Sequence, residues 1–156
     1  MNLRAMRLLM PLALLLSLPA AAMDHWSEAQ KSVWDVVSAS WEDDAGETGK
    51  WPGEYLHELA HSWSAGWPSP RDTVSIASWS RFGDESSDTL KYELFPLEVT
   101  VVGDTAVVHY GVVTVTSDHD GKRSREAEGL VETLTRTDDG WKFLGLTSFD
   151  IGDGED

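Results

Sequence analysis

His57-Glu58-Leu59-Ala60-His61 spells the pattern H-E-x-x-H. On a helix, residues four apart share a face, so both imidazoles could reach one Zn²⁺ while Glu58 activates its water. The chemistry would be metal-assisted hydrolysis. A catalytic zinc needs a third protein ligand. Ser64 and Trp67 stand three and six residues beyond His61, and Ser80 and Arg81 stand nineteen and twenty beyond, so the usual extensions are not met. Glu85 falls in a polar turn. Only one helix is expected ahead of His57, which leaves no upstream sheet to seat a peptide. The zinc-peptidase reading stays as an alternative, and the main reading calls for no metal and no cofactor.

Other residues could do different chemistry. Tyr110 could polarise a carbonyl as an oxyanion-type donor if it faces an apolar pocket. It alternates with His109, so the two point to opposite faces of a strand. Glu126, Glu128, Glu132 and Arg136 recur at even spacing. A carboxylate among them inside a cavity could act as a general base, but the set reads better as a solvated outer face interrupted by Leu130 and Leu134. Trp141, Phe143, Gly145, Thr147 and Phe149 alternate onto one face, where Thr147 among aromatics suits a ligand-lined wall. Arg71 and Asp72 read as capping and surface charges at a helix start. Trp34, Trp63, Trp67 and Trp79 come from the helical half. If they converge they make an apolar pocket with few polar groups, the common form of a small-molecule site. If not, they fill the core.

These residues need elements to hold them. Asp24 to Asp44 reads as a helix, with Trp26, Val33, Val37 and Trp41 near one face, Ser27 as cap and Ala45-Gly46 as stop. Gly46 to Gly53 is a loop by its glycine and proline content. Glu54 to Ser62 is expected as a short second helix. Ser69-Pro70 opens a third, Arg71 to Phe82. Strands follow: Thr89 to Val102 with a kink or edge at Pro96, Thr105 to Ser117, Ser124 to Thr137, and Trp141 to Asp150. Gly103-Asp104, Asp118 to Lys122 and Asp138-Asp139-Gly140 are the turns. Helices first and consecutive antiparallel strands afterwards indicate an α+β fold, about three helices on about four long strands.

The ends and the composition bound the setting. Arg4 and Arg7, the apolar run Leu8 to Leu18 and Pro19-Ala20-Ala21-Ala22 have the order of a secretory signal, with cleavage expected after Ala22. The domain is then 23–150, with an acidic tail over 151–156 expected to be frayed. The implied compartment is periplasmic or secreted. There is no cysteine among the 156 residues, so the core alone holds the fold. Net charge is −15, and −17 over 23–156 (10 basic against 27 acidic residues), which disfavours nucleic acid and membrane surfaces as partners.

The order of elements resembles the nuclear transport factor 2-like superfamily, in particular its SnoaL-like (polyketide cyclase-like) group. The residues that carry the likeness are Trp34 to Trp41; Leu56-His57 with Trp63 and Trp67; Pro68-x-Pro70-Arg71 leading to Trp79; Leu97-Glu98-Val99; Val102-Gly103-Asp104-x-Ala106-Val107-Val108-His109-Tyr110; and Asp139-Gly140-Trp141-Lys142. The resemblance implies a cone, with a curved sheet around a long helix and a pocket between them. It leaves activity open, because the superfamily holds isomerases, cyclases, dehydratases, carriers and interaction domains. Many SnoaL-like proteins have a His where this chain has Thr147, and Thr cannot act as a base near neutral pH.

The sequence reading is therefore an exported domain binding a small apolar or aromatic molecule, with Trp34, Trp63, Trp67, Trp79, Tyr110 and Thr147 as ligand contacts. The alternatives are an isomerase or cyclase acting next to a carbonyl, and a homodimerising interaction domain using the sheet face that carries His109.

Overall fold

The computed structural model describes residues 25–152. The expected signal, 1–22, and residues 153–156 of the expected tail lie outside the described residues. Helix α1 (Glu28–Ala45) starts directly after Ser27, the expected cap, and four residues later than the expected bound at Asp24. Ser27 and Gln30 cap each other reciprocally: the Gln30 backbone N–H donates to Ser27 Oγ at 3.3 Å and the Ser27 N–H to Gln30 Oε1 at 2.8 Å. The Gln30 amide also donates to the Val99 carbonyl at 2.7 Å, so one side chain fixes both the helix start and its docking on the sheet. The helix ends on Glu42-Asp43-Asp44 with no basic residue in its last turn. That is the wrong sign for the negative end of a helix dipole.

The expected second helix is a strand. β1 (Leu56–Ser64) runs parallel to the last strand, β6 (Gly140–Asp150), with Ser62 opposite Leu146 and Trp63 opposite Thr147. Left alone, that edge of β6 would expose a row of unpaired N–H and C=O groups. Pairing overrides a local spacing that suits a helix equally well. The two-residue β2 (Arg71–Asp72) adds to β1, and α2 (Thr73–Asp84) follows, two residues later than expected. Asp72 caps it, accepting from the Ser75 N–H at 2.9 Å. β3 (Ser87–Val102), β4 (Thr105–Asp118), β5 (Arg123–Thr137) and β6 form an antiparallel meander close to the expected bounds. The sheet order is β2-β1-β6-β5-β4-β3. The described residues thus hold two helices and one six-stranded curved sheet, an α+β cone with one helix fewer and two strands more than expected.

Two bulges matter. In β3 the register shifts between Pro96 and Glu98, as suits a proline on an edge strand. In β6, Phe143 pairs with Leu134 and Gly145 with Thr133, so Leu144 is the extra residue. A bulge of one residue flips every later side chain. Trp141 and Phe143 point inward before it; Leu146 and Ser148 do so after it. The expected single face from Trp141 to Phe149 is therefore broken, and Thr147 sits on the outer side.

The core is the seam between α1 and the inner face. Val33, Trp34 and Val37 pack on Val99, Val108, Tyr110, Leu134 and Phe143. Trp34 meets Tyr110 edge-on, with ring centroids 5.6 Å apart. On the outer face, Phe95, Gly111, Gly129 and Phe149 line up across four strands. Phe95, Phe149 and Ile151 are exposed there, and so is Leu97, at 69 %.

Candidate functional site

Where α1 runs out, the core opens. A cavity of about 220 Å³ lies between the end of α1 and the inner faces of β1, β5 and β6. Trp41, Leu130 and Leu146 give it apolar wall; Ser62, Ser64 and Ser148 give it hydroxyls. A second chamber of about 290 Å³ shares Asp44, Trp51, Ser62 and Ile76 with it and reaches Trp67 and Trp79 of the α2 side.

Glu132 is the anomaly in this cavity. It pairs with Val108 on one side and Leu146 on the other, so its side chain points inward with theirs. It is 4 % exposed, and its Oε2 is buried with no hydrogen-bond partner. Burial pushes its carboxyl up to about 8, and the neighbouring Tyr110 hydroxyl offsets part of that by hydrogen-bonding to it. The reading of Glu126, Glu128, Glu132 and Arg136 as a solvated outer face is thus overturned for its middle members. Glu128 and Glu132 share the inner face with Leu130 and Leu134. Those two leucines were the legible signal, since alternation places all four on one side.

Two more carboxyls border the space. Glu128 is raised chiefly by burial, with Ser148 hydrogen-bonding to it in compensation. Ser148 in turn lies 3.0 Å from Ser64 Oγ. Asp44 is pushed up to about 6, first by burial and then by the charge of Asp84, against a hydrogen bond from Ser80. None of the residues lining either chamber is Lys, Arg or His.

The sequence-selected residues fall in different places. Tyr110 is 1 % exposed and lies behind Glu132, outside the cavity lining. Its oxygen accepts the Trp41 indole N–H at 2.8 Å, and burial and Glu132 together raise its pKa far above the ordinary phenol range. It therefore supports the floor of the cavity. Trp34 is core. Trp67 and Trp79 line the outer chamber, their centroids 5.7 Å apart, with the Arg71 guanidinium stacked on both. Trp63 is 55 % exposed on the far side of β1 and donates to the Trp67 carbonyl at 3.0 Å. Thr147 is exposed and borders the cavity, while Ser148 beside it has the inward side chain. Trp41 and Trp51, which the sequence reading left out of the site, line the inner cavity.

The H-E-x-x-H residues lie on a strand and lack the shared helical face that a zinc site uses. His57 Nδ1 accepts the Leu59 N–H at 3.1 Å and His61 Nδ1 lies 2.9 Å from the Leu59 carbonyl oxygen. Among the described residues no three His, Asp or Glu side chains gather closely enough to hold a metal ion.

The chain matches no family model and no curated protein sequence. Solved structures do match it. A ketosteroid isomerase-like protein from Erwinia carotovora atroseptica is 13 % identical with a TM-score of 0.70, over 81 % of this chain and 99 % of that one. A nuclear transport factor 2-like protein with a cystatin-like fold from Novosphingobium aromaticivorans is 18 % identical with a TM-score of 0.65, over 82 % and 84 %. The CaMKII hub of S. rosetta is 15 % identical with a TM-score of 0.62, over 79 % and 97 %. At these identities the likeness is one of fold, and it agrees with the cone, the curved sheet and the long helix described above: the chain has the nuclear transport factor 2-like fold.

Proposed function

We propose that this protein is exported and binds a small organic molecule in the cavity at the end of α1. The observation that carries the reading is a buried Glu132 oxygen with no partner, lining a space with aromatic and hydroxyl walls. An unpaired buried carboxyl costs free energy, and cavities that keep one are commonly sites. Tyr110 is occupied behind the wall and Thr147 faces away, so the pair expected for chemistry next to a carbonyl does not converge here. Binding is the better-supported role. The test is a fragment screen by ligand-observed NMR, repeated on Ser62→Trp, which fills the cavity from the less buried β1. Aromatic fragments should bind the wild type and lose at least about tenfold in affinity in the variant. Equal binding to both proteins sinks the reading.

A second reading, self-association, is favoured by the apolar row Phe95, Leu97, Phe149 and Ile151 on the outer face. One of the fold neighbours is a hub by name. The basic, apolar and small-residue order of 1–22 supports export. Native mass spectrometry of protein recovered from an exporting host reads both expectations: a dimer of chains beginning at Met23, reduced to monomer by Phe149→Glu. A full-length or monomeric wild-type chain removes the corresponding claim.

A further inference from the structure

The cavity has a sign as well as a shape. Glu132 and Glu128 project from the same face of β5 into it, and Asp44 closes the opposite wall. Asp44 also stands in the last turn of α1, where the helix itself is negative and no base compensates. The adjoining chamber adds Glu47 and Asp84 to its lining, while the Arg71 cation stacks on its Trp67 and Trp79 without itself lining it. A neutral ligand would leave these charges as they are. An anion would be repelled by each of them that is ionised, and would oppose the ionisation of Glu132.

We infer that the ligand is an organic cation, an aromatic-sized amine in its ammonium form, whose N–H groups donate to the unpartnered oxygen of Glu132 and whose body lies against Trp41 and Trp51. The inference rests on the small-molecule reading above. A cationic N–H donor satisfies Glu132 Oε2 and favours its ionised form over the protonated one that burial imposes in the empty cavity, and the charge-assisted hydrogen bond so formed is roughly twice as strong as a neutral one. Indole faces attract cations, most strongly where water is excluded. The same neighbourhood already holds one such contact, Arg71 over Trp67 and Trp79. A bare metal ion fits less well. It needs several oxygens converging on one point, and no such convergence exists among the described residues.

Three probes of one size separate the terms: benzylamine in its protonated form, benzyl alcohol and benzoate, titrated calorimetrically into wild type and Glu132→Gln. Benzylammonium should bind at least about tenfold more tightly than benzyl alcohol, and benzoate should not bind. In Glu132→Gln the preference for benzylammonium should fall at least about fivefold, while benzyl alcohol stays within about twofold. Benzyl alcohol binding as tightly as benzylammonium overturns the cation assignment and leaves the cavity reading intact. A preference that survives Glu132→Gln overturns the role of Glu132. If none of the probes binds, both readings fall together.

Discussion

Asp43 and Glu132 are both buried, at 8 % and 4 % exposure, yet their surroundings are opposite. Asp43 takes a hydrogen bond from the Tyr55 hydroxyl, one from Thr48 Oγ1 at 2.8 Å and the Lys50 ammonium at 3.1 Å. These partners, Tyr55 first, hold its carboxyl below the ordinary Asp range. The cluster ties the end of α1 to the loop that leads into β1. Glu132 has Tyr110 at its back, an orphan oxygen in front and a carboxyl pushed up to about 8. Asp43 has its partners inside the chain, whereas the half-satisfied Glu132, facing a cavity, is the observation on which the ligand-binding proposal rests.

The largest break in this comparison is Glu132→Gln read against pH. Below 4.5 the Glu132 carboxyl is protonated in both the folded and unfolded chain. Between 4.5 and about 8 the unfolded chain has lost that proton and the folded chain keeps it. The folded state binds more protons, so its stability falls as pH rises through this window, by up to roughly 5 kcal/mol. Urea denaturation of the wild type should show this loss. In Glu132→Gln the slope between pH 6 and 8 should largely disappear, leaving a residual slope at lower pH from Asp44, pushed up to about 6, and from Glu128, also raised by burial. Equal slopes in the two proteins would mean that Glu132 is not the buried acid described.

A smaller effect sharpens the other side. Tyr55→Phe removes the first partner of Asp43 and should cost about 1 kcal/mol at neutral pH. The sign with pH is reversed. A carboxyl held low contributes stability above its ordinary value and loses it as pH falls through the folded value. The gap between wild type and Tyr55→Phe should therefore narrow on acidification. A gap that widens in acid would show that Asp43 and Glu132 do not differ in the way their contacts imply.

The parts of the molecule written in local sequence were legible. Ser27 marks the start of α1, because a cap needs only residues within one turn. The three hairpins were legible because their turns carry Gly103, Gly121 and Gly140, which adopt positive φ of 59°, 77° and 102°, between runs of alternating residues. The meander thus emerged close to its true bounds, and with it the α+β class.

Three features of the site were decided elsewhere in the chain. Leu56 to Ser64 has letters for a helix, and only the free edge of β6, about eighty residues on, makes it a strand. That edge also separated the two histidines from any helical face. The inward turn of Ser148 in place of Thr147 depends on one bulge at Leu144, and a bulge shows itself only when two strands are paired. The inward turn of Glu132 follows from its register with Val108 and Leu146 and from the helix that covers that face. The sequence alone determined which residues alternate. Which side of the alternation was buried was settled by packing, because burial belongs to the pair of surfaces and a strand carries only one of them.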